Sequence, residues 1–303
     1  MKTRTVILIC FLISFSVSAQ QRRWAIVGLS SIYMRVAPDY ESALETQELM
    51  GTVVEITGEK GYWREIISPQ PYKAWCTEKG IVEISDAQLK EYLDAPKCMF
   101  TGLYGHVYEK PSSKAPTISD LVGGDILRPA SRKGKWTEII LPSGEKGWVP
   151  STQVRSHSGF RILNMGEGNA DSISEKQMED IIAESFKLKG VPYLWGGMTS
   201  KGVDCSGLVR ISYLMNGILL PRNASQMVQC GEEVSLDDLR RGDLVFFGTP
   251  AKDGKPQKVT HVGIYIGNGR IIHSSHHVRV NSLTPGEKDY YENAHKLIAA
   301  RRL

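Results

Sequence analysis

The chain has 303 residues, enough for about two or three domains, and this length excludes a single small stapled module. Its 37 Lys and Arg residues and 33 Asp and Glu residues give a formal net charge of +4. So balanced a charge gives no electrostatic reason to expect nucleic acid as a partner.

Residues 1–19 have the pattern of a cleaved secretory signal peptide. Two basic residues precede an apolar run from residue 6 to residue 17, and small residues stand before Gln20. The run is shorter than the ~20 residues that a spanning helix needs, and Cys10 lacks the small residue that a lipoprotein signal places before it. We therefore expect an exported protein, periplasmic or secreted, without a stable membrane anchor. Cleavage would remove two cations and no acid, lowering the net charge from +4 to +2.

Four scattered cysteines follow this leader: Cys76, Cys98, Cys205 and Cys230. No pair has CxxC or His/Cys metal spacing, so we expect no metal site and no cofactor. The sequence leaves open whether Cys76 and Cys98 form a disulfide. We expect the protein to be a monomer.

The first half of the chain contains an internal repeat at an offset of 73 residues. In each copy a GxW turn leads into a short alternating strand, WREII or WTEII, which is typical of small all-β domains. Seven residues of the first copy recur in the second: Pro38, Gly51, Gly61, Trp63, Glu65, Ile66 and Trp75 match Pro111, Gly124, Gly134, Trp136, Glu138, Ile139 and Trp148. The pattern resembles bacterial SH3-like domains, which we place at residues 20–90 and 95–156.

The tryptophans of the repeat have two interpretations. Most of them are expected to fill two small cores, because aromatic side chains dominate such cores. The alternative is that one domain lends residues to a neighbouring site. Only the first copy has a tyrosine, Tyr72, in the loop PQPYKAW, where the second copy has PSGEKGW.

Residues 157–171 are expected to be a linker, because the stretch NMGEGNADS is polar and contains glycine. The following domain is placed at residues 172–303. Ser174 and Gln177 form a possible capping box for an amphipathic helix that stops at Gly190.

Cys205 lies in the stretch VDCSGLV, where glycine-rich loop sequence changes to the apolar helical pattern CSGLVRISYLM, which ends at Gly217. A lone helical cysteine is more often a small buried residue than a reactive one. At a helix start, however, the positive end of the helix lowers a thiol pKa, and a backbone N–H can stabilise an oxyanion. The sequence alone supports both interpretations.

Two histidines follow in KVTHVGIYIGNGRIIHSS, on two apolar strands joined near Asn268 and Gly269. A regular two-residue turn would put His261 and His273 on opposite faces of the hairpin. A three-residue loop or one bulge would put them on the same face. We predict the three-residue loop, which puts both histidines on one face. This gives the order nucleophile, base and orienting residue that cysteine hydrolases require.

The motifs YLWGG, DCSGLV, LPRNASQ, LRRGDLVFF and THVGIYIGNGRIIHSS together resemble the NlpC family of papain-like cell-wall peptidases. The resemblance covers residues 172–303 and implies an α+β fold, with helices packed on an antiparallel sheet, after two all-β SH3-like barrels. It implies that Cys205 is the nucleophile, His261 the base and His273 the orienting residue. It also implies a cleft lined by Asp204, Ser206, Tyr193 and Trp195. In that cleft Asp204 can accept from a ligand, Tyr193 can donate to the oxyanion or a carbonyl, and Trp195 can form a wall.

Two SH3-like domains before such a domain resemble the gamma-D-glutamyl-L-diamino acid endopeptidases, which trim peptidoglycan stem peptides. This group accepts peptides with a free N-terminal L-Ala, held partly by the first SH3-like domain, a role that we transfer to Glu45 and Tyr72. Glu45 is equally well explained as an ordinary surface acid. Where the group often has an acid after PR, this chain has Asn223, a neutral acceptor.

The expected substrate is therefore L-Ala-gamma-D-Glu-diamino acid, with diaminopimelate or lysine as the third residue. One alternative keeps the nucleophile but makes the protein an amidase or acyltransferase on another wall or lipid substrate. The other is a wall-binding protein without activity, against which the complete set of Cys205, His261 and His273 argues.

Overall fold

The computed structural model describes residues 22–69, 72–166 and 173–303. The expected leader, residues 1–19, and residues 167–171 of the expected linker lie outside the described residues. Residues 157–166 of that linker are described and include a short strand, Arg161–Ile162. None of the helices in the described part of the chain is long and apolar enough to cross a membrane.

Residues 23–84 form a first all-β unit, an antiparallel sheet with the spatial order β3-β2-β6-β5-β4-β1-β7. Its strands are β1 (Arg23–Val27), β2 (Ser31–Arg35), β3 (Leu44–Leu49), β4 (Val53–Lys60), β5 (Trp63–Ser68), β6 (Tyr72–Thr77) and β7 (Ile81–Ile84), with a 3₁₀ turn at Glu78–Gly80. Helix α1 (Asp86–Asp94) follows, with a capping box between Ser85 and Gln88.

Residues 97–157 form a second all-β unit with the order β10-β9-β13-β12-β11-β8-β14. Its strands are β8 (Lys97–Phe100), β9 (Tyr104–Tyr108), β10 (Thr117–Val122), β11 (Ile126–Lys133), β12 (Trp136–Ile140), β13 (Lys146–Pro150) and β14 (Val154–His157), with a 3₁₀ turn at Ser151–Gln153. Each strand of the second unit occupies the same position in its sheet as the strand numbered seven lower occupies in the first unit. The all-β architecture predicted from the repeat is therefore confirmed.

The glycine of each GxW turn has a conformational reason. Gly61 and Gly134 have φ values of +58° and +57°, in the left-handed region that side chains disfavour. These turns connect β4 to β5 and β11 to β12, so the same backbone requirement occurs at the same place in both copies.

The two cores differ from the expectation that most of the repeated tryptophans fill them. Trp63 is buried, but Trp75, Trp136 and Trp148 are half-buried. The interior of each unit instead consists mainly of aliphatic side chains, with Ile66 and Ile139 at equivalent positions and no solvent exposure. That expectation was wrong. Such small sheets enclose a narrow interior that branched aliphatic side chains fill, whereas the larger indole rings lie partly at the surface.

The carboxy-terminal domain, residues 173–303, packs helices on a six-stranded sheet of order β19-β24-β20-β21-β22-β23, as predicted. Its helices are α2 (Glu175–Lys187), α3 (Cys205–Leu214) and α4 (Ala224–Met227), with a 3₁₀ turn at Ala294–Lys296. The sheet strands are β19 (Glu232–Glu233), β20 (Leu244–Thr249), β21 (Lys258–Gly267), β22 (Arg270–Ser275), β23 (His277–Ser282) and β24 (Leu297–Arg302). Short pairs join β15 (Arg161–Ile162) to β18 (Ile218–Leu219) and β16 (Met198–Thr199) to β17 (Gly202–Val203).

Helix α2 begins where the sequence predicts. The Ser174 side chain accepts from the Gln177 backbone N–H at 3.3 Å. The Gln177 side-chain amide donates instead to the Asn216 carbonyl, at 3.2 Å, and so joins α2 to the end of α3.

Helix α3 is the centre of the domain, because every residue from Cys205 to Leu214 is buried. Gly207 permits the close approach of the preceding loop: a Cβ there would lie 2.1 Å from the Gly197 carbonyl oxygen. The helix therefore holds Cys205 in a fixed position against the loop that leads to it.

The three parts of the chain share one apolar core. Leu49 from the first all-β unit and Ile126 from the second pack into the cluster that surrounds α3. Polar contacts add to this packing, since the Met198 N–H donates to Gln47 Oε1 at 2.8 Å. The first all-β unit is therefore placed directly against the loop before Cys205.

Candidate active site

Cys205 is the first residue of α3, as predicted, and Asp204 is its N-cap. The Asp204 carboxylate accepts from the Gly207 backbone N–H at 2.6 Å, which satisfies one of the free donors at the helix start. The thiol is buried, and the backbone amide of Val262 is near enough to lower its pKa. Cys205 thus lies against β21 beside His261, the residue before Val262.

His261 and His273 share one face of the β21–β22 hairpin. Gly267 pairs with Arg270 across a two-residue turn, but further along the hairpin Ile264 pairs with Ile272. One bulge therefore separates the turn from the part of the hairpin that carries the histidines. The shared face is as predicted, but a bulge in β21 produces it and not the predicted three-residue loop. It places His261 Nε2 2.8 Å from His273 Nδ1.

Asn281, on β23, extends this pair and was missed in the sequence. His273 Nε2 lies 2.9 Å from Asn281 Oδ1, while Asn281 Nδ2 donates to the Asp289 carbonyl at 2.7 Å. Nothing in the motif spacing marked Asn281, because its role depends on the fold of β23 beside β22.

The hydrogen bonds decide which ring nitrogen is the base. The Asp289 carbonyl can only accept, so it fixes Asn281 with Oδ1 towards His273. His273 therefore carries its proton on Nε2 and accepts at Nδ1, and His261 must donate from Nε2. This leaves His261 Nδ1 unprotonated and available to take a proton from the thiol.

Tyr291 is a second residue that the sequence did not indicate. Its buried ring lies 4.6 Å from the His273 ring and 5.7 Å from the His261 ring, measured between centroids. The ring therefore packs beside both imidazoles.

Replacing Asn281 with leucine should lower kcat by about five- to tenfold. A buried donor left without a partner costs about 1–3 kcal/mol, and His273 Nε2 would be that donor. Asn281→Gln, which can restore an acceptor, should recover part of the rate. An unchanged pH profile and rate in Asn281→Leu would contradict this positioning role.

Both histidines are neutral at pH 7. Burial, together with His273 and then Arg279, lowers the pKa of His261 to about 3. Burial also lowers the pKa of His273 to about 4, against the Asn281 hydrogen bond, which raises it. The resting site therefore contains an imidazole base that is ready to accept a proton.

This burial predicts a loss of stability in acid. The unfolded chain binds these protons near pH 6.5 but the folded chain only near pH 3 to 4, so the stabilisation is complete above about pH 6.5 and is lost as the pH falls. The free energy of unfolding, measured in urea, should fall between pH 7 and pH 5 in both chains. The fall should be about 2 kcal/mol smaller in His261→Gln than in the wild-type chain. His276→Gln is the control on an exposed histidine. Equal losses in His261→Gln and the wild-type chain would contradict the assignment.

The expectation that the helix start lowers the Cys205 pKa was wrong. Burial and then Asp204 raise it, against the backbone amides of Val262 and Ser206 and the charge of Arg222, to a pKa of about 11. Desolvation is the largest cause because the sulfur is enclosed. The resting thiol is therefore protonated, and its proton must move to His261 as attack begins.

Asp204 and Ser206, which are expected to line the substrate cleft, each hydrogen-bond to Arg222. Arg222 Nη2 donates to Asp204 Oδ2 at 2.6 Å, and Arg222 Nη1 donates to Ser206 Oγ at 2.9 Å. The Gly196 N–H also donates to Asp204 Oδ2, at 2.9 Å. Because all three side chains are buried, this cluster holds the start of α3.

Arg222 was not recognised in the sequence, although it stands inside the motif LPRNASQ. Its Nε donates to Thr46 Oγ1 at 2.7 Å, which ties the cluster to β3 of the first all-β unit. Removing one partner of such a buried pair leaves an uncompensated charge.

Tyr193 and Trp195 lie on the loop before Cys205. Burial raises the pKa of Tyr193, and Cys205 and then Asp204 raise it further, so its hydroxyl is a donor near the thiol. Trp195 is 65% exposed, which leaves its indole on the surface of this loop.

Glu45, Tyr72 and Asn223 are brought together from two domains. The Tyr72 hydroxyl donates to Glu45 Oε1 at 2.5 Å and accepts from Asn223 Nδ2 at 3.2 Å. Burial and then the Glu45 hydrogen bond raise the pKa of Tyr72 to about 12, so it stays a neutral donor. The Glu45 carboxylate therefore stands at a contact of the first all-β unit with the carboxy-terminal domain.

The described cysteines are all buried and none of them is in a disulfide, so Cys76 and Cys98 are not bridged. Across residues 22–69, 72–166 and 173–303, no group of three or more His, Cys, Asp or Glu side chains is arranged to hold a metal ion.

Residues 190–297 match the NlpC/P60 family. The chain is 28% identical over 267 residues to a gamma-D-glutamyl-L-lysine dipeptidyl-peptidase of Bacillus cereus, covering 84% of this chain and 75% of the relative. It is 25% identical over 285 residues to dipeptidyl-peptidase 6 of Lysinibacillus sphaericus, covering 91% and 97%. Its fold is similar to the crystal structure of an NlpC/P60 family protein from Bacillus cereus, with a TM-score of 0.75 at 24% identity over 92% of this chain and 99% of that one. Residues 190–297 therefore form an NlpC/P60 domain, and the protein is an enzyme of the cysteine-peptidase type.

Proposed function

We propose that this protein is an exported peptidase that hydrolyses the bond between gamma-D-Glu and the diamino acid of peptidoglycan stem peptides. The products are L-Ala-gamma-D-Glu and a peptide that begins with diaminopimelate or lysine. The names of the two relatives support this substrate class, since one is a gamma-D-glutamyl-L-lysine dipeptidyl-peptidase and the other a dipeptidyl-peptidase.

One observation carries the dipeptidyl specificity: the contact of Glu45 and Tyr72 with Asn223. An anionic carboxylate beside neutral hydrogen-bonding groups is a suitable partner for the ammonium group of an N-terminal L-Ala. The first all-β unit supplies that carboxylate, so it closes one end of the cleft. Substrates would then be short peptides with a free amine, which suits turnover of wall fragments after export.

The reaction follows from the tautomers of the site. His261 Nδ1 takes the Cys205 proton while the sulfur attacks the gamma-carbonyl of D-Glu and the carbonyl π electrons move to oxygen. The backbone N–H of Cys205, which has no partner within its helix, and the Tyr193 hydroxyl would stabilise that oxyanion.

Collapse of this intermediate breaks the C–N bond. The imidazolium returns its proton to the leaving amine of the diamino acid, and L-Ala-gamma-D-Glu remains on Cys205 as a thioester. Water then attacks the thioester with His261 as base, which releases the dipeptide acid and restores the thiol. Throughout, His273 and Asn281 keep His261 in one tautomer.

Digestion of tri- and tetrapeptides, followed by mass spectrometry, tests the proposal. Peptides with a free N-terminal L-Ala should release L-Ala-gamma-D-Glu, and N-acetylated peptides should be cleaved at least about tenfold more slowly, because acetylation removes the charge that Glu45 pairs with. Peptides with diaminopimelate and with lysine are compared in the same series.

Cleavage indifferent to acetylation would contradict recognition of the amine by the first all-β unit. If the peptides stayed intact while glycan was released from wall peptides, the protein would be an amidase.

A further inference from the structure

A cleft of about 460 Å³ lies where the two all-β units, helix α1 and the carboxy-terminal domain meet. Its volume suits a small organic molecule, for which sites of about 300–1,000 Å³ are usual. Among the described residues that line it, Cys205, His261 and Asn223 do not occur, so it is separate from the candidate active site. Most of its walls are apolar, including Leu49, Ile126, Met198, Leu214 and Leu219.

Arg210, on α3, is a charged residue of this lining and is only 2% exposed. Its Nη2 is 3.7 Å from Glu48 Oε1, which is longer than a hydrogen bond. Its Nε and Nη1 are buried without a hydrogen-bond partner among the described residues. Because unpaired buried donors cost free energy, the Arg210 side chain indicates an acceptor that the protein itself does not supply.

The charges around the cleft leave one positive charge in excess. Arg210 and Lys97 are cations, and Glu48 is the acid in the lining. Burial, then Arg155 and Lys97, lowers the pKa of His157, so this imidazole is neutral at pH 7. Lys97 Nζ already donates to the Ala95 carbonyl at 2.7 Å, so the unused donors are those of Arg210.

We propose that this cleft binds a small aliphatic monocarboxylate, with the carboxylate on the Arg210 guanidinium and the alkyl body against the apolar walls. A carboxylate matches the two-pronged donor geometry of a guanidinium, and one negative charge balances the excess positive charge. Binding would remove the apolar surfaces of the alkyl chain and of the cleft walls from contact with water. This site does not depend on which peptide the active site cleaves.

Calorimetric titration of the purified chain at pH 7 with octanoate, octan-1-ol and octylamine tests the proposal. Octanoate should bind at least tenfold more tightly than octan-1-ol, and octylamine more weakly than both. Carboxamidomethylation of Cys205 should leave octanoate binding unchanged, because Cys205 is not in the lining. Equal binding of octanoate and octan-1-ol, or loss of octanoate binding after alkylation, would overturn the proposal.

Two substitutions of the charged pair should move octanoate affinity in opposite directions. Arg210→Gln should weaken binding at least tenfold, and Glu48→Gln should strengthen it several-fold by removing the competing acid. Replacement of a buried arginine can unfold the chain, so Ala95→Trp is a second variant at a half-buried position of the lining. The indole should block the cleft and abolish binding with the circular dichroism spectrum unchanged. Octanoate bound by folded Ala95→Trp with wild-type affinity would exclude this cleft.

Discussion

Cys205→Ala should lower the rate of dipeptide release from L-Ala-gamma-D-Glu-lysine by at least about 10⁴-fold, the loss typical of a removed catalytic nucleophile. The methyl group cannot form the thioester, whereas the buried start of α3 and its Asp204 cap are unchanged. Initial rates measured by chromatography of the released dipeptide give the comparison. The melting temperature should stay within a few degrees, because the lost sulfur is small and free cysteine packs as a small hydrophobe.

Cys230→Ala is the matched control for this substitution. Cys230 is also a buried thiol in the carboxy-terminal domain, and it lies outside the site of Cys205, His261 and His273. Its removal should change the rate by less than about threefold, since a substitution away from the reacting groups acts through stability alone. A Cys205→Ala rate within tenfold of wild type would instead support the wall-binding protein without activity.

Glu45→Gln should lower kcat/KM for the peptide with a free N-terminal L-Ala by about 10- to 100-fold. A hydrogen bond to a charged group is worth about 1.5–3 kcal/mol, and glutamine keeps the shape of the side chain while removing its charge. The N-acetylated peptide carries no ammonium group, so its kcat/KM should hardly change. The ratio between the two peptides should therefore fall towards one.

Glu41→Gln is the matched control, because Glu41 is an exposed acid in the same all-β unit. It should leave both values of kcat/KM unchanged within about twofold, as expected for a surface substitution. Equal losses for the free and acetylated peptides in Glu45→Gln would indicate damage to the domain contact. That result would contradict recognition of the amine by Glu45.

Local pattern was sufficient for the elements that carry the catalytic residues. The change from glycine-rich loop to apolar helix placed Cys205 at the start of α3, and strand alternation with one extra residue placed both histidines on one face. The repeat gave two all-β units with the same strand order. These features follow from backbone geometry over a few neighbouring residues, which the sequence encodes directly.

The environment of each side chain could not be predicted from local sequence pattern. The sequence did not mark Arg222, which folds back from 18 and 16 residues further along the chain and binds Asp204 and Ser206. The Cys205 thiol was expected to have a low pKa, and its burial raises it instead. Burial and ion pairing depend on residues that are distant in the chain.

The sequence by itself determined the all-β repeat, the helix start at Cys205 and the shared face of His261 and His273. Only the tertiary structure decided that Asn281 fixes the histidine tautomers, and that Glu45 and Tyr72 meet Asn223 across two domains. The physical reason is the range of the interactions. Turns, caps and strand alternation are set by residues close in the chain, whereas tautomers, desolvation and domain contacts are set by groups that only folding brings together.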